Sequence, residues 1–150
     1  MPESSAAKLG IRNTSATVLE VHETRYNRKL AKDISDSDDG RDIYIAKVTL
    51  EDDICIKVGR TNNLERRMGE HRQRCKLDEN EFKEEFHTRV VWAHRCESLL
   101  HHRLKAAGFT VSDAACECGT HHIERYASTL ESLRSDVDEI KSWIGVVREL

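Results

Sequence analysis

The sequence predicts an α+β domain: a small three-stranded antiparallel sheet flanked by helices, with an additional C-terminal amphipathic helix. Three observations carry that expectation. The runs "DIYIAKVTL" and "ICIKVG" are β-branched and joined by the acidic turn "EDD", as in an antiparallel hairpin. Two capped helical patterns then alternate with a third β-rich run, "FHTRVVWAH". Last, Leu130, Leu133, Val137, Ile140, Ile144 and Val147 recur on one face of a helical wheel.

In chain order, residues 1–41 are expected to be a flexible or loosely packed N-terminal extension. The first fifteen are small and polar, and "DISDSDDGRD" at 33–42 is an acidic linker. Between them "TSATVLEVHETRYNRKL" could supply a strand and a short helix. The compact domain spans 42–127. Both faces of its hairpin are apolar, so helices should cover the sheet above and below. With Glu51 and Asp52 as the two turn residues, Leu50 faces Asp53, Ala46 faces Lys57 and Tyr44 faces Gly59. Tyr44 and Lys57 then share a face, whereas a one-residue slip would separate them.

In "NNLERRMGEHRQRC" Asn62 can cap the helix and Glu65 can answer from its third position. The third strand, 86–94, leads into "RCESLLHHRLKAAG", which stops at Gly108. "FTVSDAACECGTHHIERYA" is irregular apart from a possible short strand at either end. Ser128 and Glu131 form a second capping box, opening the C-terminal helix over 128–150, which should pack on the domain.

The chain has 150 residues, 34% of them charged, and a net charge of only -3. Any attraction to nucleic acid must therefore come from a local patch. Arg60, Arg66, Arg72, Arg74 and Lys76, with Lys57 and Arg67, supply one, opposed by Glu65 and Glu70. A solvated helix laced with charge pairs would look the same. Five cysteines and a start without an apolar core point to reduced thiols in an intracellular protein, nuclear or cytoplasmic and not secreted. No run is long and apolar enough for a membrane span, so no membrane is expected as a partner.

At 100° per residue, Arg67 and His71 project between Leu64, Met68 and Cys75, and Glu97 shares a face with Leu100 and Leu104. Inward-directed charges need partners or a cleft, so these residues form either an internal ion-pair network or an active site. Cys55 and Cys96 are expected in the core, as are Trp92 and Trp143. Of His101 and His102, one should face inward and one solvent.

"DIY" followed by "KVG", then Arg67 ten residues after Lys57, His71 four further on and Glu97 on the next helix, resembles the GIY-YIG endonuclease superfamily. The likeness is closest to its phage T5 type branch, with many fungal members, where a lysine replaces the second tyrosine. It implies a three-stranded antiparallel sheet flanked by helices and metal-dependent hydrolysis of a nucleic-acid phosphodiester, DNA ahead of RNA. The catalytic residues it implies are Tyr44, Lys57, Arg67, His71 and Glu97. Tyr44 would orient or help activate the water, Lys57 act as general base or its assistant, Arg67 stabilise the phosphate, and His71 assist proton transfer or hold a phosphate oxygen. Glu97 would hold one Mg²⁺ or Mn²⁺ as a hard oxygen ligand, and His101, one turn later, could touch that site. Asp42 replaces the motif's glycine, and the late asparagine has no clear counterpart.

"CECGTHHIERY" resembles the ending of the fungal branch, with His122, Glu124 and Tyr126 on its pattern and Arg125 in place of a tryptophan, which would expose that strand. With Cys75 at the end of the first helix, the resemblance implies a structural zinc on Cys75, Cys116, Cys118 and His122. The other reading is a buried Cys75 and a polar loop. The alternative to a nuclease is a catalytically inactive module that binds nucleic acid or a protein and keeps the zinc.

Overall fold

A computed structural model describes residues 23–28, 41–51 and 53–150. A short helix, α1 (23–28), precedes β1 (Arg41–Leu50), β2 (Asp53–Thr61), α2 (Leu64–Cys75), β3 (Phe82–Val90), α3 (Ala93–Ala106), β4 (Arg125–Ser128) and α4 (Leu133–Val147). The expected disorder of 1–15, the possible strand before α1, the linker up to residue 40 and the turn residue Asp52 lie outside the described residues. The linker's last two residues, Arg41 and Asp42, belong to β1. Asp42 pairs with Thr61 and Arg89, in step with its neighbours.

The sheet has four antiparallel strands in the order β3-β1-β2-β4, one more than the sequence predicts. The hairpin register is the expected one, with Leu50 opposite Asp53, Ala46 opposite Lys57 and Tyr44 opposite Gly59. Side chains alternate along β1 and β2, and each face buries its own core. Ile43, Ile45, Ile56 and Val58 pack under Cys96, Leu99, Leu100 and Leu104 of α3 and Val137, Ile140 and Ile144 of α4. Tyr44, Ala46, Val48 and Cys55 pack under Met68 of α2 with Phe82. The sheet is covered on both sides, as its two apolar faces require.

Several boundaries depart from the sequence expectation. β3 begins at Phe82 rather than 86, because the charged "KEE" belongs to an edge strand that points charges outward, as edges commonly do. A bulge between Ile45 and Ala46 absorbs one extra residue of β3. β3 therefore ends at Val90, and Trp92 stands before α3 at 42% exposure rather than in the core. Trp143 does pack against the core, with the Arg103 guanidinium 4.1 Å over its ring.

The cap of α2 is Asn63, not Asn62: Asn63 Oδ1 accepts from the Arg66 N–H at 3.1 Å, while Asn62 takes the Arg66 guanidinium. Lys76 closes the helix in the left-handed region, φ 58. Ser128 is not a cap either. It ends β4, and its buried hydroxyl donates to Asp136 at 2.8 Å. α4 therefore starts at Leu133, and Leu130, expected on its apolar face, lies in the preceding turn at 78% exposure. No described helix is long and apolar enough to cross a membrane.

Candidate functional site

The α2 face of the sheet brings four of the five expected catalytic residues together. Tyr44 is 1% exposed, and its hydroxyl lies 2.8 Å from His71 Nε2. His71 stacks on Phe82 with ring centroids 4.7 Å apart. Burial pushes Tyr44 up to about 12, against the opposing pull of the neighbouring Arg67. Burial, reinforced by the charges of Arg67, Lys57 and Arg125, pushes His71 down to about 3. Both shifts favour the neutral forms at neutral pH, and which of the two donates in their hydrogen bond is set by the histidine tautomer.

Lys57, 7% exposed, is paired with Glu124. Arg67 sits at the rim, half-exposed, bonded to Glu70 at 3.2 Å. Gly59 permits this packing. A Cβ there would lie 2.7 Å from the Tyr44 hydroxyl oxygen and 2.8 Å from Cζ, closer than nonbonded atoms approach.

Glu97 reaches the site from the opposite face. It belongs to α3, which covers the other core, and meets the first group at the sheet edge where the β4 ladder ends at Lys57 opposite Arg125. There the Val58 N–H donates to the Glu124 carbonyl at 3.2 Å, placing Glu124 at the corner between the faces. Glu97 Oε1 accepts from Arg60 Nε at 2.9 Å, and Oε2 lies 3.3 Å from His101 Nε2. Burial raises the Glu97 pKa, but the hydrogen bond and charge of His101, with Arg60 and Lys57, outweigh it and hold the carboxyl below its ordinary value. His101 Nδ1 is hydrogen-bonded to the buried Tyr126 hydroxyl. His102 is half-buried, not fully solvated.

Two adjoining cavities follow from this corner. One, about 310 Å³, is lined by Arg60, Glu97, His101, Lys105 and Glu124. The other, about 200 Å³, is lined by Lys57, Arg67, His71, Arg74 and Glu124. Ile123 and Glu124 border both, so Glu124 stands between the Lys57 side and the Glu97 side.

The basic patch divides by role. Arg60 and Arg74 face the cavities, and Arg74 also holds Thr120 Oγ1 at 3.1 Å. Arg66 and Lys76 are exposed. Arg72 is turned to the protein, its Nε donating to the Phe82 carbonyl at 2.9 Å.

The proposed zinc ligands also converge. Sulfur atoms of Cys75, Cys116 and Cys118 and a ring nitrogen of His122 all lie within 4.8 Å of one another. His122 Nε2 is 3.1 Å from Cys118 Sγ and 3.8 Å from Cys75 Sγ. Tetrahedral zinc at ordinary bond lengths needs S···N edges of about 3.5 Å, so small shifts would fit the ion. Burial pushes Cys75 up to about 11, opposed by the Arg125 hydrogen bond. Cys118 lies down at about 7, its slight burial outweighed by hydrogen bonds from the Thr120 backbone and with the Cys116 thiol. Arg125 does not expose its strand. It is 2% exposed, its guanidinium donates to Cys75 Sγ at 3.1 Å, and it lies over the Phe82 ring. Cys55 and Cys96 are buried as expected.

The sequence assigns no role to Gly59, and none to Glu124 beyond its place on the fungal-branch pattern; His101, expected to be able to touch the metal site, does lie against Glu97. The "KVG" motif is the signal for Gly59; Glu124, just before the four-residue β4, gives only a weak one. No curated protein and no solved structure matches the chain. The sequence model of the T5orf172 domain matches residues 42–148, from the start of β1 to just past the end of α4, and the chain belongs to the T5orf172 domain family.

Proposed function

We propose that the protein is a divalent-metal-dependent nuclease that hydrolyses nucleic-acid phosphodiester bonds, DNA ahead of RNA, in the manner of the GIY-YIG endonucleases. The observation that carries this reading is the convergence of Lys57, Arg67, His71 and Glu97 on one open corner of the sheet, from elements on both of its faces, with the buried Tyr44 bonded behind His71. A purely structural ion-pair network would not require two cavities to open onto it.

The residues divide the work by chemistry. Arg67, at the rim, offers a planar guanidinium to phosphate oxygens, and Arg74 adds charge to the same cavity. Tyr44 would orient or help activate the attacking water through His71, which it holds and which faces the cavity, and Lys57 takes the water's proton or assists that transfer. Glu97 would hold Mg²⁺ or Mn²⁺, and its carboxylate fits a hard cation because it faces a cavity beside Glu124 and His101. Such a cation, when bound, polarises the phosphate and stabilises the leaving oxygen. Arg60 and the exposed Arg66 and Lys76 would extend the contact along the backbone of the substrate.

The same reading assigns a structural zinc to Cys75, Cys116, Cys118 and His122, supported by their mutual spacing. A second reading, a module that binds nucleic acid or protein and no longer turns over, draws on the pairing of Glu97 with Arg60 and of Lys57 with Glu124.

One experiment separates them. Supercoiled plasmid and RNA are incubated with the protein in Mg²⁺ or Mn²⁺, beside Glu97→Ala. Nicking by wild type alone supports the nuclease; identical behaviour of the two proteins ends that reading. For zinc, protein purified without added metal should carry about one equivalent. Less than that, with no loss of stability in Cys118→Ser, removes the four-ligand site.

A further inference from the structure

Glu97, His101 and Glu124 each offer one ligand atom, and these atoms lie within 4.8 Å of one another on the wall of the larger cavity. We propose that the three residues form a single site for a divalent transition-metal cation, typified by Mn²⁺ and selective against Mg²⁺. The site itself rests on this geometry; its role in catalysis rests on the nuclease reading.

Each ligand is positioned by a different part of the fold. Glu97 and His101 stand one turn apart on the same face of α3. Glu124 comes from the far edge of the sheet, pinned by the bond from the Val58 N–H to its carbonyl. His101 is fixed from behind by Tyr126, which is fully buried and bonded to Nδ1, while Nε2 points to the Glu97 carboxylate. Without a cation Nε2–H donates to Glu97; binding of a cation would displace that proton, and with Nδ1–H donating to Tyr126 the Nε2 lone pair would face the cluster. An imidazole held this way at its other nitrogen is the usual arrangement of a metal-ligating histidine.

The charge also fits. Two carboxylates and a neutral imidazole carry two negative charges, matching a divalent cation. Arg60 on Glu97 and Lys57 on Glu124 balance those charges in the metal-free protein. Open space above the ligands leaves room for water or a phosphate oxygen to complete the coordination.

The donor set selects the metal. Mg²⁺ prefers an all-oxygen octahedron and keeps most of its water, so an imidazole adds little to its binding. First-row transition cations gain from nitrogen, in an order that begins at Mn²⁺. A site made of Glu97 alone would show no such preference.

The test uses the full chain carrying a single equivalent of zinc, enough for the thiol cluster alone, and Mn²⁺ as the probe. Titration followed by electron paramagnetic resonance should give one bound Mn²⁺ per chain, with a nitrogen-14 coupling from imidazole in the pulsed spectrum. His101→Ala should abolish that coupling and weaken Mn²⁺ binding about 10- to 100-fold, the range for losing a metal-site contact of this kind. Glu124→Gln should weaken binding similarly while leaving the coupling in the residual bound fraction, and Mg²⁺ should compete poorly. Wild type bound without nitrogen coupling, or His101→Ala and Glu124→Gln both binding as wild type does, would overturn the site. The wild-type spectrum needs no variant to fold, and persistence of the signal in Cys118→Ser shows that it does not arise at the thiol cluster. Coupled Mn²⁺ on a protein that leaves plasmid intact would uphold the site and refute the nuclease. Plasmid nicking with no such coupling would do the reverse.

Discussion

Gly59→Ala places one methyl group where the structure has no room. The added Cβ would lie 2.7 Å from the Tyr44 hydroxyl oxygen, 2.8 Å from Cζ and 3.1 Å from Cε2. Ordinary contact would require a shift of roughly 1 Å, since nonbonded carbons rest about 3.5–4.0 Å apart. Tyr44 cannot swing freely: its ring is buried among Ala46, Val48, Met68 and Phe82, and its hydroxyl is held by His71. Forcing a methyl into such packing costs about 1–3 kcal/mol. For a chain of this size that lowers Tm by roughly 2–4 °C per kcal/mol, readable by thermal unfolding. On the nuclease reading, the same 1 Å displacement of Tyr44 should cost on the order of 100-fold in plasmid nicking. A Tyr44→Phe background gives the discriminating comparison. The steric strain persists without the hydroxyl contact, but the effect on activity should shrink because the oriented group is already gone. An unchanged Tm and a nicking rate within about twofold of wild type would refute the argument that Gly59 is there to seat Tyr44.

Three further outcomes follow from the same geometry. His71 is held near 3 in the folded protein, below its ordinary 6.5, so the unfolded chain takes up a proton first as the pH falls. The folded state should lose up to about 1.4 kcal/mol per pH unit from this group between 6.5 and 3, and nothing above that window. In thermal scans at pH 7.5, 5.5 and 4.5, His71→Gln should narrow its gap to wild type as the pH falls; a constant gap would count against a buried neutral His71. Lys76→Gly should stabilise by about 0.5–1 kcal/mol, because Lys76 holds the left-handed cap of α2 that glycine adopts without strain, and chemical denaturation with no gain would contradict that reading. Arg125→Leu removes the cation that donates to Cys75 Sγ, so zinc should pass to a chelator about 10- to 100-fold more readily; unchanged transfer would make Arg125 only a packing residue.

The parts of the fold that local chemistry decides were legible in the sequence. A short acidic turn between two β-branched runs fixed the hairpin register, which put Tyr44 and Lys57 on one face before any contact was known. Apolar residues on both sides of β1 and β2 required two helical layers, and two separate cores fill them. The departures occur where tertiary context outweighs local pattern. The charges of β3 look like loop but belong to a sheet edge, and Ser128 with Glu131 looks like a capping box although Ser128 serves Asp136 across the β4–α4 turn. Arg125, on a reading of polarity alone, should open its strand to solvent. It is buried because a thiol and an aromatic face receive it. The role of Glu124, beyond its place on a family pattern, is not legible for a related reason: it depends on Lys57, 67 residues earlier, and on α3 from the other face of the sheet.

The position of Glu124 links the thiol cluster to the cavities. One residue, Ile123, separates it from the zinc ligand proposed at His122, and between Val111 and Arg125 the chain contains turns but no helix or strand of its own. That segment is held at one end by the β4 ladder and the Val58–Glu124 bond, and near its middle by Cys116, Cys118 and His122 against Cys75 at the end of α2. Without the metal, the second attachment reduces to a few thiol and imidazole contacts and the Arg74–Thr120 bond. Cys118→Ser should then act at a distance. None of the four proposed ligands belongs to either core, so most of the fold's stability should survive. Binding of Mn²⁺ through Glu124, by contrast, should weaken, as the carboxylate samples positions away from Lys57 and Glu97. The expected signature is a several-fold loss of Mn²⁺ affinity that added zinc restores in wild type stripped of metal, but not in Cys118→Ser. If stripped wild type binds Mn²⁺ as tightly as the zinc-loaded protein, the thiol cluster does not hold Glu124 in place, and the two sites are independent.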